Sequence, residues 1–236
     1  MLGGKILACL PATHHIQTRC STFMKITIQF ILVLILSSCA SKKSIERINI
    51  SDYEFESITK AFDAKKLSYI GLKKNCVGED RIKMSNEKDC KNCVAINNTY
   101  IFWTDENKSY VQKFDNYSEF NIIEIFDFKP TEFLKNNTTE LQAESVKRYQ
   151  VDKGTYRTVS HSCFRNYILN DGKIKYEKKF DIFDLTGENE NLNFKTNNSL
   201  QLIKLNNILN EIISELEKEN RFERNKKTCY NTVYSS

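Results

Sequence analysis

Two runs of aromatic and β-branched residues, Thr99 to Thr104 and Ser109 to Phe114, flank the polar stretch Asp105-Glu106-Asn107-Lys108. Runs of this kind pair as strands, and a four-residue polar turn between them makes a hairpin. The middle of the chain is thereby committed to antiparallel pairing. A second hairpin is expected between Val159 to Leu169 and Lys173 to Phe180. Asn170-Asp171-Gly172 joins them, and its Asp-Gly pair supplies the positive φ that a tight turn needs. Ile174, Tyr176 and Phe180 then fall on one face. Shorter strands are expected over Leu67 to Leu72 and around Phe120 to Phe128.

Helices bracket these strands. Ser51-Asp52-Tyr53-Glu54 matches a capping box, which predicts a helix over about Asp52 to Ala64 with Phe55, Ile58 and Phe62 near one face. Pro130 suits a helix start, and the segment it opens runs through Leu134, Leu141 and Val146. The longest pattern spans about Ser199 to Glu219, where Leu202, Leu205, Leu209, Ile212 and Leu216 make an apolar stripe suited to core packing. Two polar stretches read as loops: Lys73 to Lys91, and the Asn-rich Gly187 to Asn198, expected to be mobile. Together these patterns predict an α+β single domain with antiparallel β-hairpins and a long C-terminal amphipathic helix. Only 2 prolines and 7 glycines occur, which disfavours long linkers.

The N-terminal region has a different character. After Met24-Lys25 comes a mostly apolar run, Ile26 to Leu36, and then Ser37-Ser38-Cys39-Ala40. A basic start, a short apolar run and small residues form a secretory signal. The run is well short of the roughly 20 residues a bilayer-crossing helix needs. Leu36-Ser37-Ser38-Cys39 resembles the lipobox of bacterial lipoproteins. The resemblance, which covers residues 24 to 40, implies a diacylglyceryl thioether on Cys39 and cleavage just before it. Each buried CH₂ contributes about 0.8 kcal/mol, so two or more acyl chains anchor stably where one does not. The expected organisation is an upstream extension (1–23) with the working start at Met24, a signal peptide (24–38), a lipidated tether (39–50) and one α+β domain (51–236). Ala40 in place of an aspartate after the cysteine leans toward the outer membrane, and Ser41-Lys42-Lys43-Ser44 lacks an acidic export signal. A periplasm-facing protein is expected.

Charge and cysteines bound the chemistry. Residues 1–38 hold three of the 35 basic side chains and no acid, so the remainder carries 32 basic against 30 acidic groups. That balance gives no basis for a nucleic-acid partner, which calls for a concentrated basic face. Lys173, Lys175, Lys178 and Lys179 cluster, but with Glu177 among them they read as a solvated strand face. Cys76, Cys90, Cys93, Cys163 and Cys229 follow Cys39, and in an oxidising compartment their default is structural disulfides. At least one bond is expected from Cys76 to the Cys90/Cys93 pair, closing the polar loop. Cys90-Lys91-Asn92-Cys93 has the spacing of a redox dithiol but lacks a strand before it and an apolar-periodic helix after it. The same pair with Cys76 and either His161 or Cys163 has the ligand types for zinc, with only one close-spaced half. His161 is the only histidine after Cys39, so any Ser-His or Cys-His mechanism must use it. Paired acids such as Asp181 and Asp184 declare a role only through their separation in space. No cofactor is expected. The leading expectation is a lipid-anchored, non-catalytic module that binds or supports another envelope component. The alternative is an enzyme: a thiol oxidoreductase using Cys90 and Cys93, or a hydrolase with His161 or paired acids in a concave site.

Overall fold

A computed structural model describes residues 54–77, 82–83, 94–95, 98–115 and 118–227. Residues 24–38, expected to form a signal peptide, and Cys39, Cys90, Cys93 and Cys229 lie outside these residues. Seven described strands form one antiparallel sheet in the order β10-β9-β1-β4-β5-β6-β11: β1 (Tyr69–Cys76), β4 (Asn98–Asp105), β5 (Lys108–Phe114), β6 (Ser118–Ile125), β9 (Cys163–Asn170), β10 (Lys175–Asp181) and β11 (Arg224–Lys227). Two small ribbons accompany it, β2 (Ile82–Lys83) with β3 (Val94–Ala95) and β7 (Gln150–Asp152) with β8 (Thr155–Tyr156). The helices are α1 (Phe55–Ala64), α2 (Pro130–Ala143), α3 (Phe194–Ser199) and α4 (Gln201–Lys218). The fold is the α+β arrangement that the patterning predicts.

Alternation along the strands assigns the two faces. Ile70, Leu72, Tyr100, Phe102, Val111 and Ile123 share one face and pack against Leu134 and Leu141 of α2 and Leu202, Leu205 and Leu209 of α4. Each such side chain contributes about 1.5–3 kcal/mol on full burial. The opposite face carries Tyr69, Trp103 and Tyr110, with α1 against it: the Phe62 ring lies 5.6 Å from Tyr69 and 5.2 Å from Trp103. The exposed amides that start α4 are satisfied from outside the helix. Gln201 and Leu202 donate to the Glu144 carboxylate at 2.9 and 3.0 Å. Lys178 donates to the backbone oxygens of Gln142 and Glu144, tying the end of α2 to β10.

Several local expectations are corrected. The hairpin after β4 turns on Glu106-Asn107 alone, because Asp105 pairs with Lys108 and both turn residues take positive φ, 47° and 67°. That geometry matches the right-handed twist of the flanking strands better than a wider turn would. Helix α1 begins at Phe55 with Glu54 at its N-cap and no side-chain cap bond. The expected capping serine, Ser51, lies outside the described residues. Helix α2 ends at Ala143, leaving Val146 beyond it. Strand β9 begins at Cys163, and Ile174 sits in the exposed turn before β10. Strand β1 runs on through Lys73 to Cys76, where a loop was expected.

The disulfide also differs. Cys76 bonds to Cys163, 87 residues away, and not to Cys90 or Cys93. The two are register partners on β1 and β9, with Cα atoms 3.9 Å apart, so strand pairing itself brings the sulfurs together.

The segment 187–198, expected to be a mobile loop, is a framed part of the fold. It contains most of α3, and Asn191 and Asn197 are 4% and 0% exposed. Asn191 accepts from Gln150 N–H (3.2 Å) and Asn193 N–H (3.0 Å) and donates to the backbone oxygens of Asp184 (2.9 Å) and Thr186 (3.1 Å). Asn197 accepts from Lys147 N–H (2.9 Å) and donates to Lys147 O (2.7 Å) and Asp184 O (3.0 Å). An asparagine amide has two donor hydrogens and two acceptor lone pairs, so Asn191 is fully used. Composition signalled polarity, but these polar groups face inward and satisfy backbone.

Gly187 closes this frame. Its φ is +77°, and a Cβ there would overlap the hydroxyl of Tyr149, a residue 2% exposed and stacked on Phe183 at 4.7 Å. Gly187→Ala therefore combines backbone strain with overpacking, each costing on the order of 1 kcal/mol or more. A loss of about 2–4 kcal/mol in urea unfolding is expected. An unchanged midpoint would show that Tyr149 can move aside.

Candidate functional site: a charged, ring-lined cleft at the sheet edge

β10 is an edge strand, and a cleft of about 320 Å³ opens where it ends. Because the cleft wraps the strand end, both faces of β10 contribute: Phe180 from the face packed on α2 and α4, Lys179 and Asp181 from the other. The 3-10 turn Ile182–Leu185 adds Phe183 and Asp184. The β7–β8 ribbon supplies the facing wall through its flanking arginines, Arg148 and Arg157.

Cross-strand contacts hold those arginines. Arg148 lies over the Tyr156 ring, 5.0 Å from its centroid, and Arg157 lies 5.6 Å from that of Tyr149. Arg157 also pairs with Glu190 at 2.5 Å. Lys179 sits 5.0 Å from the centroid of the Phe164 ring. Cations over aromatic faces gain about 0.5–1 kcal/mol at exposed sites, enough to bias the orientation of a long side chain.

The two acids are both engaged. Asp181 accepts from Ser162 Oγ and, at 2.8 Å, from Phe183 N–H, so it caps the 3-10 turn. Asp184 accepts from Tyr149 N–H at 2.8 Å. Burial pushes the Asp184 pKa up and the Asp181 charge adds to the rise, while the bond from Tyr149 N–H and the charge of Arg148 pull the other way. The bonds of Asn191 and Asn197 hold 147–150 against 184–197, so the walls are set before any ligand arrives.

Other predicted residues fall elsewhere. Cys76 and Cys163 are oxidised to each other and cannot serve as zinc thiolates, which removes the zinc sets that use Cys76. Among the described residues no group of three or more His, Cys, Asp or Glu is placed to hold a metal ion. His161 is exposed in a bend before β9, its Nδ1 3.0 Å from Ser160 Oγ, and does not line the cleft. It is therefore not on a strand face with Cys163, as the sequence suggested.

A second cluster of charge lies on the face packed against α2 and α4, near the end of α4. Glu217 accepts from Tyr100 OH at 2.6 Å and from Lys113 Nζ at 2.8 Å, bonds that outweigh the effect of burial and lower its pKa. Lys74 lies 5.3 Å from the Tyr100 centroid and directly across from Arg165. Burial, with the charge of Arg165, pushes the Lys74 pKa down to about 8.

The sequence reading missed Arg148, Arg157, Phe164 and Phe183. One signal was present: Arg148-Tyr149 and Tyr156-Arg157 mirror each other about Asp152-Lys153, just before Gly154, the mark of a short hairpin with cross-strand cation–ring pairs. No protein-family model, curated protein or solved structure matches the chain.

Proposed function

We propose that the chain is a lipid-anchored protein of a bacterial envelope, most consistent with the outer membrane facing the periplasm, and that its folded domain is a non-catalytic binding module. The observation that carries the reading is the Cys76–Cys163 bond, which uses two cysteines as structure. Such bonds persist in the oxidising compartment that a lipobox-directed chain enters. Among the described residues no helix is long and apolar enough to cross a membrane, and in this reading the lipid on Cys39 supplies the anchor. The rigid cleft beside β10 is where the module takes a ligand or a segment of another envelope component.

A hydrolase is the second reading, favoured by Asp181 and Asp184 lining one cleft with the Asp184 pKa raised. Both carboxylates, however, satisfy backbone amides of the fold. Those bonds give the acids a structural task, and the binding module is preferred.

The anchor is tested with Cys39→Ala. The variant is expected to lose labelled palmitate and either to partition into the aqueous phase or to persist as unprocessed precursor. Deleting residues 1–23 should leave export and labelling unchanged. Wild-type protein without an acyl group on Cys39 overturns the reading.

A further inference from the structure

We infer that the cleft beside β10 takes a small organic anion, a carboxylate or phosphate carried on a flat or apolar body. This rests on the binding-module reading and names its ligand class. The inference comes from what the lining has left to offer. Arg157 is already matched by Glu190, Asp181 by Ser162 and Phe183, and Asp184 by Tyr149. Arg148 and Lys179 differ: each is exposed, each rests over a ring, and neither forms an ion pair with a carboxylate among the described residues. Both line the same cleft, Arg148 beside the β7–β8 ribbon and Lys179 on β10. Phe164, Phe183, Phe180 and Val146 add apolar surface to the same lining. Two cations that line one cleft and have no carboxylate partner among the described residues can bind an anionic group through charge-assisted hydrogen bonds. Adjacent rings cover a planar or hydrocarbon body, and a volume of about 320 Å³ suits a small molecule.

Arg148 and Lys179 stand on walls fixed by buried asparagine bonds and by strand pairing, so little ordering opposes binding.

The test uses the full chain in a neutral detergent, with phenyl phosphate, benzoate and benzyl alcohol as probes and the amide resonances of Thr158 and Phe183 as reporters. Phenyl phosphate or benzoate is expected to shift both amides saturably, with benzyl alcohol at least about tenfold weaker. The exposed pair Arg148→Gln/Lys179→Gln should weaken the anions by at least about tenfold while leaving the benzyl alcohol response unchanged. Which anion binds more tightly distinguishes a phosphate from a carboxylate ligand. Equal binding of benzyl alcohol, or a double variant that binds phenyl phosphate like the parent, overturns the anionic ligand and leaves a cleft-binding module standing. Silence of both amides toward all three probes overturns the inference together with the cleft as the module's site. Neither result bears on acylation of Cys39, which is measured separately.

Discussion

Cys76→Ala/Cys163→Ala is expected to lower the free energy of unfolding by about 4–5 kcal/mol, the span that the chain-entropy account gives for a loop approaching 100 residues. The cross-link joins residues separated by 87 positions, so it removes a large share of the open chain's freedom. It also fastens β1 to β9 at the end of their register, next to the like-charged pair Lys74 and Arg165. Like charges directly opposite on a sheet repel, so without the covalent link this end is the first part of the sheet expected to fray. Urea unfolding of the variant measures the loss, and a reducing agent should reproduce it in the parent. Peptide mapping without reduction should recover Cys76 joined to Cys163. A loss under about 1 kcal/mol, or recovery of Cys76 joined to Cys90 or Cys93, overturns the assignment.

The reach of the sequence is visible in which elements it anticipated. Period-two runs of aromatic and β-branched residues are written locally, so both hairpins, the sheet class and the hairpin partners of β4 and β9, β5 and β10, were legible. The apolar stripe of α4 and the proline at the start of α2 were legible for the same reason. Disulfide pairing was not, because it depends on β1 lying between β9 and β4, a fact of sheet order that no local pattern carries. Nearness in sequence pointed Cys76 toward Cys90, while register brought it Cys163. The cleft was hidden for a related reason: its lining comes from residues 146–158, 164 and 179–184, which share no period. Asp181 and Asp184 were named together as acids whose role depends on their separation in space, and the turn after β10 is what places them in one cleft.

The clearest misreading, the supposed loop at 187–198, yields the second large prediction. Asn197→Leu keeps nearly the same shape but leaves Lys147 N–H, Lys147 O and one of the two bonds to Asp184 O without a partner. Asn197 is fully buried, so water cannot replace these bonds without opening the frame. Each buried polar group left unsatisfied costs about 1–3 kcal/mol, and with both Lys147 groups orphaned while Asp184 O keeps its bond from Asn191 a total of about 2–6 kcal/mol is expected. Asn198→Ala is the control: that neighbour is exposed, and although it too donates to backbone, at Leu185 O and Phe194 O, solvent can take its place. Its loss should stay under about 1 kcal/mol. Hydrogen exchange separates a local from a global effect. In Asn197→Leu the amides of Tyr149, Gln150 and Leu192 are expected to exchange faster, since they bond across the same frame to Asp184, Asn191 and Gln150. Because Asn197 ties residue 147, next to Arg148, to Asp184, the variant should also weaken binding of anionic probes in the cleft although Asn197 itself does not line it. A mobile polar loop would tolerate leucine at position 197 with neither effect, and that outcome would return the segment to the reading its composition first suggests.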